Sequence, residues 1–187
     1  MSKQLSQVER KILGALDEAL RSPGAQKAIQ AIVSRVVQKL ADDTGAALVW
    51  ESVPLAAYGG RLPEIIRSSW VFVLRKNSTS GAERHPNSRQ RMISYRGRAD
   101  MQTWENGAWR SNVLTADLSA PFNQRWLSIP LNVWHKPVMG AEDWVVVSFH
   151  TATDTELIEE RGDPQGRGES KQETYGSRSD SQFLGAR

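Results

Sequence analysis

"AERHPNSRQRMISYRG", residues 82–97, gathers a carboxylate, one of the chain's three histidines, two amides and a closing glycine into one short run. In extended chain alternate side chains share a face, so Glu83 and His85 project together, with Asn87 following if Pro86 does not bend the backbone away. Gln90 then opens an apolar segment that Gly97 closes. The run reads either as a pair of strands able to hold a cation or as a polar loop entering a strand.

The surroundings favour strands. From Ala46 onward the chain is cut into short β-rich pieces: "ALVWESV", "SWVFVLR", "RMISYRG", "DMQTW", "AWRSNVL", "RWLSIPL" and "DWVVVSFH". Close spacing of such pieces, punctuated by turn residues, is the pattern of a barrel or sandwich. Within "TWENGAW", Asn106 and Gly107 tolerate the positive φ angles of a two-residue hairpin turn between Trp104 and Trp109. All seven tryptophans lie between Trp50 and Trp144, so the aromatic mass belongs to this β region.

Two helices precede it. Val8, Ile12, Leu13, Leu16, Ala19 and Leu20 recur at helical spacing, and Ser22, Pro23 and Gly24 interrupt the pattern. Residues 25–42 then place Ile29, Ile32, Val33, Val36, Val37 and Leu40 on one stripe, with a glycine just past the end. The stripe suits either the cover of a core or a homodimer contact. Beyond residue 160 the sequence is rich in Gly, Ser and charge and poor in apolar side chains, so a disordered tail is expected. The expected division is a helical segment over 1–45, a β-barrel domain over 46–160 and a tail over 161–187.

Composition narrows the chemistry. Cysteine is absent, which excludes disulfides, thiolate metal sites and cysteine nucleophiles and fits a cytoplasmic protein. The net charge of +3 is spread among interleaved acids and bases, unlike the clustered basic face of a nucleic-acid binder. No apolar run reaches membrane-spanning length, so neither nucleic acid nor membrane is an expected partner. Phosphate loops, nucleophile elbows and zinc-protease helix signatures do not occur.

The order of residues in 83–97 resembles the first motif of the cupin superfamily. That motif has two histidines separated by one residue, three or four more residues, a glutamate, six more residues and a glycine. Glu83 stands in the first histidine place, His85 in the second, Gln90 in the glutamate place and Gly97 in its own. "PLNVWH" resembles the second motif, with Pro130 and His135 matching, Asn132 in the glycine place and Met139 in that of the later asparagine. The resemblance spans about Ser69 to His150. It implies a mainly β, cupin-like double-stranded β-helix barrel whose ligands converge on a divalent metal.

On that reading Glu83, His85 and His135 form a set of two histidines and one carboxylate, similar to that of non-haem ferrous enzymes, with Gln90 as a weak fourth ligand or a hydrogen-bonder to His85. Fe(II) is favoured, with Mn, Ni or Zn as alternatives. Arg91, Trp104 and Trp134 are the candidate substrate contacts, for a small organic molecule, the arginine suiting an anionic one. His150 shares a face with Trp144, Val146 and Ser148 but is read as a strand cap outside the ligand set. Dioxygenase-like chemistry is the favoured function, with lyase and isomerase reactions open to the same ligands. The competing reading is a non-catalytic small-molecule-binding barrel that has lost its metal.

Overall fold

A computed structural model describes residues 5–174. Helix α1 spans Gln7–Leu20 and α2 spans Pro23–Asp42, each opened by a serine whose hydroxyl accepts from a first-turn amide, Ser6 from Glu9 and Ser22 from Ala25. The β region comprises β1 (Leu48–Ser52), β2 (Ser68–Leu74), β3 (Glu83–Arg84), β4 (Gln90–Arg96), β5 (Arg98–Glu105), β6 (Ala108–Arg110), β7 (Val113–Thr115), β8 (Trp126–Ile129), β9 (His135–Val138), β10 (Trp144–His150), β11 (Ile158–Arg161) and β12 (Lys171–Thr174). A one-turn helix, α3 (Phe122–Arg125), leads into β8. The strands form two antiparallel sheets, one ordered β1-β2-β10-β4-β8 and the other β12-β11-β3-β9-β5-β6, with β7 added to β5. This is the mainly β, two-sheet architecture expected from the short β-rich pieces of sequence.

The first sheet is buried on both faces, and period two explains how. Along β10, Trp144 and Val146 join Met92, Ala99 and Met101 in a cluster drawn from both sheets, the barrel interior. The intervening Val145, Val147 and Phe149 join Val71, Val73 and the buried stripes of both helices on the outer side. A strand with two apolar faces reads as a continuous hydrophobic run, which is what "WVVVSF" is. Ile29, Ile32, Val33, Val36 and Leu40 are all buried in this outer layer. These five residues of the α2 stripe are therefore covered by the chain's own sheet, while Val37 of the same stripe stays 37% exposed.

Four turn positions carry the residues their backbones demand. Asn106 and Gly107 both have positive φ, 51° and 80°, as the hairpin signal predicts. Gly97 has φ 81°, and a Cβ there would lie 2.8 Å from the carbonyl oxygen of Asp143, so only glycine fits between β4 and β5. Asn132, in the place of the second motif's glycine, adopts φ 61°, a conformation that asparagine tolerates.

The tail differs from expectation. Residue 161 still belongs to β11, and Lys171–Thr174 pairs with it as β12, extending the sheet past the expected boundary. Backbone pairing, with Arg161 opposite Glu83 and Glu160 opposite Arg84, orders a stretch whose composition offers little apolar burial. Residues 175–187 of the expected tail lie outside the described residues. No helix among the described residues is long and apolar enough to cross a membrane.

Polar contacts clamp α1 to the barrel wall. Arg91, which turns outward from β4, donates to both carboxylate oxygens of Glu9 at 2.7 and 3.1 Å, and Ser128 donates to the same carboxylate. Two turns on, Asp17 accepts from Arg125 and from the Trp126 indole. Burial raises the Glu9 carboxyl, but the Arg91 and Ser128 hydrogen bonds and the Arg91 charge outweigh it and leave it below its ordinary 4.5. Removing one partner leaves the buried Arg91 donors unsatisfied, so Glu9→Ala should cost about 1–3 kcal/mol of unfolding free energy in urea. Because the folded acid is the stronger one, its stabilisation is present above pH 4.5 and is lost as pH falls through the lower folded value. Below pH 4.5 the wild-type urea midpoint should therefore fall more steeply than that of Glu9→Gln, and parallel slopes would contradict the clamp.

Candidate metal centre

Glu83 sits in the two-residue strand β3, wedged between β11 and β9, directly opposite Arg161 on one side and His135 on the other. His85 follows one step beyond β3 on the same face. Its backbone carbonyl accepts from Asn132, which ties the two motif segments together. Asn87 does not continue the row: it is exposed, donates to the Glu156 carbonyl and accepts from Ile158, holding the loop to the start of β11. His135 opens β9 and pairs across to Thr103 of β5. The side chains of Glu83, His85 and His135 bring one ligand atom each within 4.8 Å of one another.

The two imidazoles are oriented by the backbone. His85 Nδ1 lies 3.1 Å from the Ile158 carbonyl and His135 Nδ1 lies 3.0 Å from the Val133 carbonyl. A carbonyl only accepts, so each Nδ1 carries the proton and, in a neutral ring, each Nε2 carries the lone pair. His135 Nε2 is buried without a hydrogen bond and stands 3.4 Å from Glu83 Oε1. With a neutral ring, two electron-rich atoms face each other there, a contact that a cation between them would turn from repulsive to attractive. Hydrogen bonding of the outer ring nitrogen to a carbonyl is also how metal-ligating histidines are commonly fixed.

Electrostatics favour a neutral His85 and an ionised Glu83. Burial, helped by the neighbouring His135, lowers the pKa of His85 and so favours the neutral ring. Burial alone would raise the Glu83 carboxyl, but its contact with His135 and the Arg161 charge outweigh that and hold it ionised, well below the usual carboxylate range. Two imidazole nitrogens and a charged carboxylate form a donor set suited to a divalent transition metal.

His150 departs from the sequence reading. It points inward, buried, with its ring centroid 5.1 Å from that of His85 in an edge-on contact. Both of its nitrogens have serine partners, Ser88 at 3.4 Å from Nδ1 and Ser148 at 3.1 Å from Nε2. Ser88 in turn accepts from the amides of Thr151 and Ala152, so it is an anchor for the end of β10 as well as a turn residue. His150 is thus neither a strand cap nor aimed at Glu83; it walls the site behind His85.

Gln90 is buried in register with His150 and faces the interior, its Oε1 without a hydrogen-bond partner. A cavity of about 30 Å³ opens beside it, bounded by Glu83, Arg161, Phe72, Met92, Met101 and Val146. The three expected substrate contacts do not border that cavity. Arg91 is on the opposite face of β4 from Gln90 and is engaged by Glu9. Trp104 packs edge-to-face on Trp109, its neighbour across the hairpin, and Trp134 lies beneath the Arg84 guanidinium. Period two accounts for the arginine: if Gln90 points in, its neighbour points out. Conversely, Arg161 and the fully buried Glu159 belong to the interior, ion-paired at 2.5 Å, and were missed because they lie at the edge of the low-complexity tail.

No protein-family model matches the chain, and no curated protein sequence matches it. Among solved structures it is similar to pumpkin seed globulin at 21% identity and a TM-score of 0.43, covering 50% of this chain and 23% of that one. It is similar to an oxalate oxidase at 13% identity and a TM-score of 0.44, covering 57% of this chain and 52% of that one. A third likeness is to a Bacillus subtilis oxalate decarboxylase variant, at 16% identity and a TM-score of 0.42, covering 50% and 23%. The chain thus spans about a quarter of the globulin and decarboxylase chains and about half of the oxidase chain. Fold and site together define a mainly β, two-sheet protein with a candidate metal centre.

The ring orientations have a direct spectroscopic consequence. In ¹⁵N-resolved NMR of metal-free protein at neutral pH, His85 should show protonated Nδ1 and bare Nε2, and His135 should show protonated Nδ1. A bare Nδ1 on either ring would contradict the geometry.

Proposed function

We propose that the protein binds one divalent metal ion through Glu83 Oε1, His85 Nε2 and His135 Nε2 and uses it on a small organic molecule. Three protein donors leave coordination positions for such a molecule. The observation that carries this reading is the pair of imidazoles whose protons are committed to the Ile158 and Val133 carbonyls while their other nitrogens converge with a buried carboxylate. When bound, the ion would supply Lewis acidity and, if redox-active, electron transfer to oxygen, which suits the dioxygenase-like chemistry favoured for this donor set.

The chain's own contribution is orientation and exclusion of water. Glu83 supplies the negative charge, and the two backbone carbonyls fix the direction of each imidazole lone pair. Phe72, Met92, Met101 and Val146 line the adjoining cavity with apolar surface, which lowers the local dielectric and strengthens every charge interaction inside. Gln90 faces that cavity from the place of the family's glutamate. Its neutral amide is a weaker ligand than a carboxylate, and the donor set stands without it. Fe(II) remains the favoured ion, and Mn(II), Ni(II) and Zn(II) suit the same nitrogen and oxygen donors.

Elemental analysis of protein purified without chelator should find about one equivalent of a divalent transition metal. An ion that binds the native state stabilises it by about 2.7 kcal/mol at a hundredfold excess over Kd. In a chain of this size that corresponds to a Tm difference of roughly 5–10 °C between ion-loaded and EDTA-treated protein. Glu83→Gln and His135→Ala should abolish both the bound metal and the EDTA effect. A metal-free protein indifferent to EDTA would support the non-catalytic barrel instead.

A further inference from the structure

Glu83 faces in two directions. Its Oε1 stands 3.4 Å from His135 Nε2, on the side where the candidate ligand atoms converge, and its Oε2 stands 3.5 Å from Arg161 Nη2. The strand register enforces the second contact. Arg161 of β11 lies directly opposite Glu83 of β3, and period two turns both inward while their neighbours Glu160 and Arg84 pair with each other on the outer face.

Arg161 does not give its charge to Glu83 alone. Its Nε lies 2.5 Å from Oε1 of Glu159, two residues back on the same strand, and Glu159 is fully buried. The guanidinium thus bridges two carboxylates and sits closer to the one outside the donor set. Arg84 and Arg91 are engaged elsewhere, by Glu160 and Glu9. A cation held beside a carboxylate weakens that carboxylate's attraction for a second cation, and in a buried setting little salt or water screens the effect.

We propose that Arg161 is an internal competitor for Glu83 that lowers the centre's affinity for its ion, with Glu159 setting how strongly it competes. The inference rests on the metal reading above and assigns to that centre a residue that tunes it. Arg161 acts on the ion through Glu83 and is therefore a positioning residue, not a ligand. An affinity held down in this way makes the ion exchangeable.

The test is the dissociation constant for Mn(II), read on the full chain by competition with a metal-binding dye. Arg161→Gln should bind the ion roughly tenfold or more tightly than the wild type, because one positive charge leaves the neighbourhood of a doubly charged ion. Glu159→Gln should bind it roughly tenfold more weakly, because the nearer of the two carboxylates is withdrawn and more of the Arg161 charge falls on Glu83. Arg161→Lys keeps the charge and should stay close to the wild-type value. An arginine that merely braces β11 predicts the opposite sign for Arg161→Gln, since a loosened strand would hold Glu83 less well. Unchanged or weaker binding by folded Arg161→Gln, or unchanged or tighter binding by Glu159→Gln, would overturn the inference while leaving the metal centre standing. Arg161→Gln strands the buried Glu159, and if that variant does not fold, Glu159→Gln decides alone. Failure of the wild type to bind Mn(II), or binding that survives His135→Ala, would overturn both.

Discussion

Strand β10 must bury both of its faces, and the rest of the structure follows from how it does so. All seven of its residues are buried, one alternate set looking into the barrel and the other against the helices. The outer set needs a lid, which α1 and α2 provide with their apolar stripes. The inner set fixes the lateral position of β2 and β4, its two antiparallel neighbours, and thereby decides which residues of 82–97 look inward. A one-residue slip between β10 and β4 would exchange Gln90 for Arg91 in the interior and bury an arginine beside the histidines.

The second sheet supplies the ligands from its least regular part. β3 is only two residues long, yet it lies between β11 and β9 and so brings Glu83 beside both Arg161 and His135. His85 lies just past the end of β3, where the chain is free to turn its ring toward Ile158. A short strand flanked by paired neighbours is rigid enough to aim side chains while leaving the barrel open beside them. The apolar cluster below the site and the polar row of Ser88, His150 and Ser148 behind it complete the enclosure.

Much of this was legible in the sequence, and the reasons are local. The helices announce themselves by their period, β2 and β10 by their unbroken apolar runs, and the β5–β6 hairpin by Asn106 and Gly107. The meeting of Glu83, His85 and His135 was legible because period two puts the first two on one face and the motif resemblance supplies the third. What stayed hidden depends on long-range register. Trp104 and Trp134 are apolar enough for either side of a wall, and only their neighbours Trp109 and Arg84 reveal which side they occupy. Glu159 and Arg161 sit in a polar alternation with no apolar signal, stabilised by each other and by backbone pairing of β11 with β3 and β12. The inward direction of His150 was visible in its alternation, but its two serine partners come from the fold.

The central claim is that two backbone-oriented imidazoles and one buried carboxylate close on a single ion. X-ray absorption at the edge of the bound metal tests it most directly. The expected spectrum contains the outer-shell scattering of two imidazole rings together with first-shell nitrogen and oxygen at about 2.0–2.2 Å. A first shell of oxygen alone, with no imidazole scattering, would mean that the ion sits elsewhere and that Glu83, His85 and His135 are no more than a buried polar cluster.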